Sequence, residues 1–521
     1  MERHTLVVVD IGTQSLRASL VDQRGKILRL EREIYEAISL RNPKGYAEQW
    51  PDFYWNTLVK ALGRLTSSSE FKAVSPIGLV MCDFRDTAAL LDKDLKPIRP
   101  SILWLDSRSA RLEKDSNLSP SSRLLMSLSG MRETARYNAR RTPAQWLKEN
   151  EPQVWIKVAK YVPLSAYLNL KMTDRLVCSD ADCVGHYPIN FKKGKWLGKH
   201  NLRWQIFGIR PDQLCELVPV GDLLGRISLD CSKATGLPEG LPVIASAADK
   251  AAEVLGNGCY SPDRCTISLG TACTVDQPID RYKDSEPFLP SYRSPVKGLY
   301  NMEVQIYRGF SMLRWFSENF ASDEEKFKAD KEKVAIENVF DSFLREVKPG
   351  ADGLLVQPYW GPSLSRPLGR GAMIGFTDVH DRRHIYRALI EGIVYALREG
   401  LETLEKRSGT RAKVLVVSGG GSSSQEVQRI VTDIFNLPTL KAETPESSTV
   451  GAALGGFASQ GVFKDVKAAV TNMIRTTSRM DPKPENASIY EGYYQTYKKI
   501  YPALEKLDST LHDLSYENET I

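Results

Sequence analysis

The chain has 521 residues and a mass of 58.4 kDa, which at about 150 residues per domain predicts two to four domains. Its 42% hydrophobic and 26% charged residues are average for globular proteins and exclude disordered, collagen-like and disulfide-stapled classes. Seventy Lys and Arg against 64 Asp and Glu leave a net charge of +6, so neither a nucleic-acid nor a membrane partner is expected.

The first residues and the hydropathy predict a cytoplasmic protein. Residues 1–4 lead into five apolar or small residues before Asp10, a shorter run than the apolar region of a secretion signal. No stretch reaches the roughly 18 uninterrupted apolar residues of a membrane helix, and the mean hydropathy is −0.31. The eight cysteines include no C-x-x-C pair, so neither a zinc ribbon nor a disulfide framework is indicated.

The beginning of the chain predicts an antiparallel meander followed by a helix and a further strand. Residues 5–9 form a buried-strand run, and residues 16–22 and 27–34 continue as strands separated by turn residues. Helical spacing over residues 50–65 follows a Pro-Asp start, and residues 77–81 form another apolar strand.

A related pattern returns later in the chain. Residues 242–245 predict a short strand, and residues 265–275 predict two strands joined by a Gly-Thr turn at 270–271. The first hairpin carries the same pair at 12–13. The repetition indicates an internally duplicated α/β architecture with a domain boundary near residue 254.

The last third predicts a long core helix and a strand that ends in glycines. Residues 381–406 place their apolar side chains on one helical face, which assigns them to the core. Residues 414–417 form a strand before the three glycines at 419–421, and a helix follows over residues 425–435. A glycine-rich turn between a strand and a helix is typical of phosphate or nucleotide contacts.

Two segments predict surface linkers, and the final segment predicts helices. Residues 280–296 and 475–484 are rich in turn-forming or polar residues. Residues 490–514 have helical spacing, and Pro502 should kink this helix or begin a new one.

Three glycine turns are candidates for contacts to a phosphate-bearing ligand. The sequence holds no Walker A loop, and Ser424 stands where G-x-G-x-x-G would need its last glycine, so P-loop and Rossmann folds are not supported. Hairpin turns can still present N–H groups and a Thr hydroxyl to phosphate oxygens, because glycine lets the main chain approach an anion closely. Taken singly, each turn also fits an ordinary structural role.

The order of these turns resembles a known superfamily. Asp-Ile-Gly-Thr at 10–13, Leu-Gly-Thr at 269–271 and Val-Ser-Gly-Gly-Gly at 417–421 resemble the phosphate-1, phosphate-2 and adenosine motifs of the actin/hexokinase/heat-shock ATPases. With the segments at 102–108, 248–252 and 446–453, they resemble the FGGY carbohydrate kinases over almost the whole chain.

The resemblance implies an α/β fold of two actin-like (ribonuclease H-like) ATPase domains, residues 1–254 and 255–521, with the active site in a central cleft. It implies ATP-dependent phosphorylation of a hydroxyl of a small sugar, polyol or sugar acid. The alternative from another class is a non-catalytic or chaperone-like ATP-binding member of the same superfamily. The resemblance is also compatible with a homodimer.

Two aspartates are the candidates for catalysis and metal binding. By resemblance Asp249 is the catalytic base that takes the proton of the substrate hydroxyl, and it also binds the substrate. A helix N-cap is the structural alternative for Asp249. Asp10 would act on Mg²⁺, because hard cations prefer carboxylate oxygens, although Asp is also a common turn residue.

The resemblance places ATP along the three glycine turns. The residues implied in nucleotide binding are Thr13, Gln14, Gly270, Thr271, Gly419, Gly420 and Gly421.

Four further residues are candidates for binding the carbohydrate. Arg85 and Asp86 fall where glycerol kinase has an Arg-Glu pair, and a guanidinium with a carboxylate can donate to and accept from neighbouring hydroxyls. A surface ion pair is the alternative for these two residues. Trp104 could stack on a carbon skeleton, although a tryptophan within a strand is more often core. Tyr137 falls near the sequence position at which glycerol kinase has a tyrosine that binds the substrate.

Charged residues near these candidates affect the expected substrate. Lys250 stands where related kinases have Asn or Gln, which weakens an inference of the substrate from the family. A basic run consists of Arg132, Arg136, Arg140 and Arg141. Such a run is usually a solvated face, but an acidic substrate becomes credible if some of these arginines face the cleft.

Overall fold

The structure is a computed structural model that describes residues 4–35, 45–112, 118–129, 131–285, 289–360, 366 and 369–518. Two large sheets organise these residues, one formed by strands before residue 245 and one by strands after residue 263. Within the described residues, no helix combines the length and the apolar character needed to cross a membrane.

The part of the chain up to residue 256 contains the following elements. Its strands are β1 Thr5–Ile11, β2 Ser15–Asp22, β3 Ile27–Ile34, β4 Glu48–Gln49, β5 Leu79–Asp83, β6 Ala88–Leu91, β7 Ser101–Ile102, β8 Lys160–Pro163, β9 Val177–Ser179, β10 Ile189–Asn190, β11 Lys195–Trp196, β12 Glu216–Val218, β13 Leu223–Arg226 and β14 Pro242–Ile244. Its helices are α1 Pro51–Ser67, α2 Ser69–Lys72, α3 Pro120–Leu128, α4 Arg132–Arg141, α5 Pro143–Asn150, α6 Pro152–Trp155, α7 Leu164–Thr173, α8 Arg203–Phe207, α9 Leu229–Thr235 and α10 Asp249–Gly256.

The first large sheet has the strand order β13-β14-β5-β1-β2-β3. Strands β1, β2 and β3 form the predicted antiparallel meander, while β5 runs parallel to both β1 and β14. Every residue of β1 is buried, as expected of a Val-rich central strand that is covered on both faces. Strand β3 lies at the edge of the sheet, where Arg29 and Arg32 are exposed and Glu31 is buried.

The remaining elements follow residue 263. The strands are β15 Arg264–Leu269, β16 Cys273–Ile279, β17 Tyr292–Arg293, β18 Tyr300–Ile306, β19 Leu355–Gln357, β20 Ala372–Ile374, β21 Val414–Ser418, β22 Thr439–Ala442 and β23 Thr476–Met480. The helices are α11 Ser311–Phe320, α12 Asp323–Glu332, α13 Ile336–Val339, α14 Asp341–Glu346, α15 Arg382–Ser408, α16 Gln425–Phe435, α17 Ser447–Ser459, α18 Val466–Met473, α19 Pro484–Tyr497 and α20 Ile500–Asn518.

The second large sheet repeats the topology of the first. Its order is β17-β18-β16-β15-β21-β22-β23, in which β15, β16 and β18 form a meander and β21 and β22 add in parallel. In both sheets an antiparallel strand closes the parallel edge, β13 in the first and β23 in the second. The predicted duplicated α/β architecture of two actin-like domains is therefore confirmed.

Helices α10 and α17 bring the two parts of the chain together. A Cβ on Gly451 of α17 would collide with the main-chain carbonyl of Ala252, and one on Gly256 of α10 would collide with that of Ser447. Glycines at these positions let the two helix backbones touch, so the beginnings of both helices are held beside β1 and β5. Residue 254, the predicted domain boundary, lies within α10, and a division of the chain there stays a prediction.

Several details differ from the sequence predictions. Residues 475–484 contain strand β23 rather than a linker, because an edge strand can pair through its main chain while its side chains stay mostly exposed. Asp10 lies within β1 and not in the hairpin turn. Trp104 follows β7 in a turn and is not part of a strand. Residues 490–514 divide as expected, and Pro502 is the third residue of α20.

Candidate active site

The predicted motifs meet where the two sheets face each other. Strand β15 runs parallel to β21, with Ser268 opposite Ser418, so the glycine turns that follow these strands lie side by side. Asp249 is the first residue of α10, and Ala248 occupies the N-cap position. Asp249 is therefore not the N-cap residue, which was the structural alternative for it. Asp10 is near the end of β1, and its carboxyl interacts electrostatically with that of Asp249.

Asp10 is buried among charged and hydroxyl groups from distant parts of the chain. The residue is 3% exposed, and Oδ2 lies 3.3 Å from Arg17 Nη1 and accepts a hydrogen bond from Thr449 Oγ1 at 3.4 Å. Burial raises the pKa of Asp10 to about 6. Arg17 opposes that rise, whereas the carboxylates of Asp249 and Glu446 add to it.

Asp249 is partly exposed at the start of α10. Burial raises the pKa of its carboxyl, while the charges of Arg85 and Lys250 and the main-chain N–H of Lys250 act in the opposite direction. That N–H donates to Oδ1 at 2.7 Å. A carboxylate with a raised pKa and one hydrogen-bonded oxygen suits a proton acceptor, because its basicity exceeds that of an exposed aspartate.

Lys250 is occupied by an internal network. Its Nζ lies 2.6 Å from Glu253 Oε2 and 2.8 Å from Ser268 Oγ, and Ser418 Oγ donates to Glu253 Oε1 at 2.6 Å. The network joins α10 to the ends of β15 and β21, which carry the second and third glycine turns. Lys250 therefore links helix α10 to strands β15 and β21.

The glycine turns leave main chain exposed at the junction. Gly419 has a φ of 81°, and a Cβ there would come within 2.8 Å of the carbonyl oxygen of Leu269. Gly420 has nothing within 4 Å of the place of a Cβ, so its main chain faces open space. Thr271 and Gln14 are exposed, and Gly270 is partly so. These turns can accept an anion closely, as a nucleotide site needs.

Arg85 and Asp86 have separate partners, so they do not form the surface ion pair that was the structural alternative. Arg85 Nη1 lies 3.0 Å from Glu303 Oε1 of β18. Asp86 Oδ1 accepts from the main-chain N–H of His186 at 2.8 Å, and Oδ2 lies 2.7 Å from Nδ1 of that histidine. Asp86 has a φ of 58°, which places it in the left-handed region.

The two aromatic candidates lie on different segments. Trp104 Nε1 donates to Thr13 Oγ1 at 2.9 Å, which fixes the indole beside the first glycine turn. Tyr137 lies on α4, and burial raises its pKa. Arg141 of the same helix donates to the main-chain carbonyls of Ser107 and Asp106 at 2.8 and 3.0 Å.

Sequence reasoning missed several residues of this region. Glu446 and Thr449 belong to a motif that was recognised but given no role, and Arg17 lies 2.8 Å from Glu446. Glu303 and Tyr292 have no motif around them, and their proximity to Arg85 depends on how the sheets face each other. In the described residues, no group of three or more His, Cys, Asp or Glu side chains is arranged to hold a metal ion.

Two duplicated α/β halves with carboxylates and glycine turns at their junction define the two-domain actin-like ATPase class. The sequence matches the FGGY family of carbohydrate kinases, its N-terminal domain over residues 5–256 and its C-terminal domain over residues 265–460. The chain belongs to the FGGY family of carbohydrate kinases. The predicted family and kinase activity are confirmed, and the non-catalytic alternative is not favoured.

Similar proteins and solved structures match this chain over almost its whole length. A xylulose kinase of Lactococcus lactis is 27% identical over 98% of this chain and 99% of its own length. A gluconokinase of Bacillus licheniformis is 24% identical over 95% of each. The fold is similar to that of a xylulose kinase from Rhodospirillum rubrum, with a TM-score of 0.82, 24% identity and coverage of 98% and 100% of the two chains.

Proposed function

We propose that this kinase transfers the γ-phosphoryl group of ATP to a hydroxyl of a small sugar or sugar acid, with Asp249 as the base. The observation that carries the proposal is the position of Asp249, which is partly exposed at the start of α10 and close enough to Asp10 and Arg85 for their charges to interact. Xylulose kinases and gluconokinases among the relatives support this substrate range.

The glycine turns are proposed to bind the nucleotide. Main-chain N–H groups and the Thr271 hydroxyl would donate to phosphate oxygens from one side, and Thr13 and Gln14 would line the other. Gly419, Gly420 and Gly421 would let the adenosine pass close to the main chain after β21. No side chain is needed there for the main chain to make these contacts.

Asp10 fits a magnesium ion that also binds nucleotide phosphates. Mg²⁺ commonly uses one or two carboxylates and completes its shell with water and phosphate oxygens, so a three-residue cluster is not required. Mutual repulsion of the Asp10 and Asp249 carboxylates, which contributes to the raised pKa of Asp10, would be relieved by a nearby cation. The ion would neutralise charge between the β- and γ-phosphates.

Asp249 is proposed to accept the proton of the attacking hydroxyl. An alcohol attacks phosphorus more readily as its proton leaves, and a positioned base contributes roughly 10²–10⁴ in rate. Arg85, Asp86, Trp104 and Tyr137 would orient the carbohydrate. Closure of the two halves would exclude water, which competes with the sugar for the phosphoryl group.

A cytoplasmic location is also proposed. All eight cysteines lie within the described residues, and each is free and buried, which fits a reducing compartment.

The test is a coupled assay of ADP release with a panel of ketoses, alditols and aldonates. Sugar-dependent ADP release with one-to-one formation of sugar phosphate is the expected result. Release of ADP that ignores every added sugar would contradict the proposal. A thermal-shift screen with a nonhydrolysable ATP analogue selects the panel, because a cognate ligand stabilises the folded state by mass action.

A further inference from the structure

Arg85, one of two cations that act on the candidate base Asp249, is already neutralised by an ion pair. Arg85 and Glu303 form an ion pair of 3.0 Å that joins the β5–β6 turn to β18, and both side chains are largely buried, with 16% and 14% exposed. Arg85 also interacts electrostatically with Asp249. Arg85 and Lys250 therefore stand against the carboxylates of Asp249, Glu253 and Glu303, and the local charge is negative.

Glu303 is held in place by more than its ion pair. Its Oε2 lies 3.2 Å from the hydroxyl of Tyr292, which also reaches Asp276 at 2.7 Å, and its main-chain N–H donates to Ser285 Oγ at 3.0 Å. The guanidinium of Arg85 lies 5.2 Å from the centre of the Tyr292 ring. A carboxylate with these contacts cannot easily turn away when a second anion approaches.

The basic helix α4 does not replace Arg85 as a built anion site. Both terminal nitrogens of Arg141 already donate to main-chain carbonyls, and Arg136 lies 3.7 Å from Glu133 on its own helix. A planar carboxylate is best bound by two parallel N–H groups of one guanidinium. Arg85 would offer such a pair to a carboxylate beside the base if it left Glu303.

We propose that the Arg85–Glu303 pair makes this site selective for uncharged polyhydroxylated substrates, and that Glu303 is the residue that rejects sugar acids. Adjacent hydroxyls of a ketose or alditol would accept from Arg85 and donate to Glu303. An aldonate would bring a third carboxylate to Asp249 and Glu303. This inference rests on the proposed function, and it narrows the substrate to the neutral class.

The test compares ligands that differ in one terminal group. D-gluconate is paired with D-glucitol and D-xylonate with xylitol, and D-fructose and D-xylulose are added as the matching ketoses. Both binding, by calorimetry with a nonhydrolysable ATP analogue, and kcat/KM are measured. The wild-type protein is expected to favour its best neutral ligand over every aldonate by at least about tenfold.

Three variants test the role of Glu303. Glu303→Gln keeps the shape but frees the charge of Arg85, so the preference for neutral over acidic ligands should fall at least about tenfold. In the double variant Arg85→Gln/Glu303→Gln, the gain in aldonate binding should disappear with the guanidinium. Asp222→Asn removes the exposed 2.6 Å pair with Lys297 and should leave the preference unchanged. Thermal unfolding shows whether each variant is folded.

The outcomes separate this inference from the proposed function. Preference of the wild-type protein for an aldonate, or an unchanged preference in folded Glu303→Gln, overturns the inference and leaves the kinase activity standing. Selective binding of neutral ligands without phosphoryl transfer overturns the proposed function, while the selectivity stands. Failure of both ligand classes to bind overturns both.

Discussion

The hydroxyl of Thr449 donates to Oδ2 of Asp10 at 3.4 Å, although the two residues are 439 positions apart in the sequence. Thr449 lies in the first turn of α17, and Glu446 just before that helix also contacts Arg17 on the strand that follows Asp10. The late part of the chain therefore positions a carboxylate of the first strand. This contact explains how a motif near residue 449 bears on the candidate metal site.

Replacing Asp10 should weaken magnesium-dependent catalysis. A magnesium ion stabilises transition-state charge by several kcal/mol, so Asp10→Ala should lower kcat by about 100-fold or more and raise the Mg²⁺ concentration for half-maximal rate. Steady-state rates across a magnesium titration provide the measurement. Asp230→Ala, at an exposed position of α9, is the matched control. An unchanged magnesium dependence would leave Asp10 with a structural role alone.

Replacing Asp249 should separate nucleotide binding from phosphoryl transfer. Asp249→Asn keeps the shape of the side chain and removes the proton acceptor, so kcat should fall by about 10²–10⁴. The affinity for an ATP analogue should stay near that of the unchanged protein. Calorimetry and single-turnover kinetics check the two halves of this prediction. Near-normal turnover in the variant would exclude Asp249 as the base.

The sequence predicts local structure well where burial alternates or stays continuous. Strands β1 to β3 and helix α16 match their predicted positions closely, because apolar periodicity and turn residues mark them. Strand β23 could not be predicted, since its side chains are mostly exposed and its stability comes from main-chain pairing with β22. Local patterns do not record such pairing.

The candidate site shows the same limit. Asp10, Asp249 and the glycine turns lie in motifs with distinctive residue order, so the sequence can indicate them. The partner of Arg85 is 218 positions away, in a strand whose apolar and polar residues alternate and whose sequence does not indicate a site. The sequence instead suggested Asp86, which is adjacent in the chain but points to His186. Neighbours in sequence are poor guides to ion pairs at a junction of two sheets.

The Lys250–Glu253 pair should contribute to stability as a unit. Lys250→Met leaves a mostly buried Glu253 carboxylate without its cation, which should cost about 3 kcal/mol. The double variant Lys250→Met/Glu253→Gln should recover much of that loss, because no unpaired charge remains. Thermal unfolding of the set gives the comparison. Lys297→Met, at the exposed pair with Asp222, is the control and should change stability by less than about 1 kcal/mol.

A destabilisation of the double variant equal to that of Lys250→Met would show that packing of the lysine chain, and not charge compensation, is responsible.

Asp86 should act on carbohydrate binding without affecting the nucleotide. Asp86→Asn is the suitable variant, because asparagine tolerates the φ of 58° better than alanine. Loss of a charged hydrogen bond of about 1.5–3 kcal/mol should raise KM for the sugar roughly 10- to 100-fold. Saturation curves for sugar and ATP provide the measurement, with the KM for ATP as the internal control. An effect confined to ATP would remove Asp86 from the carbohydrate site.

Arg85 should set the acidic limb of the pH profile. Asp249 accepts a proton only when it is ionised, so kcat/KM should fall as the pH drops through its pKa. Burial raises that pKa and the positive charge of Arg85 opposes the rise. Arg85→Gln removes this opposition and leaves the Glu303 carboxylate unpaired, and both changes favour the protonated form of Asp249. The acidic limb should therefore move to higher pH, whatever happens to the absolute rate.

Lys297→Gln, which removes a cation of the exposed pair with Asp222, should leave the limb in place. A limb that stays fixed or moves to lower pH in Arg85→Gln would show that another group controls the ionisation required for catalysis.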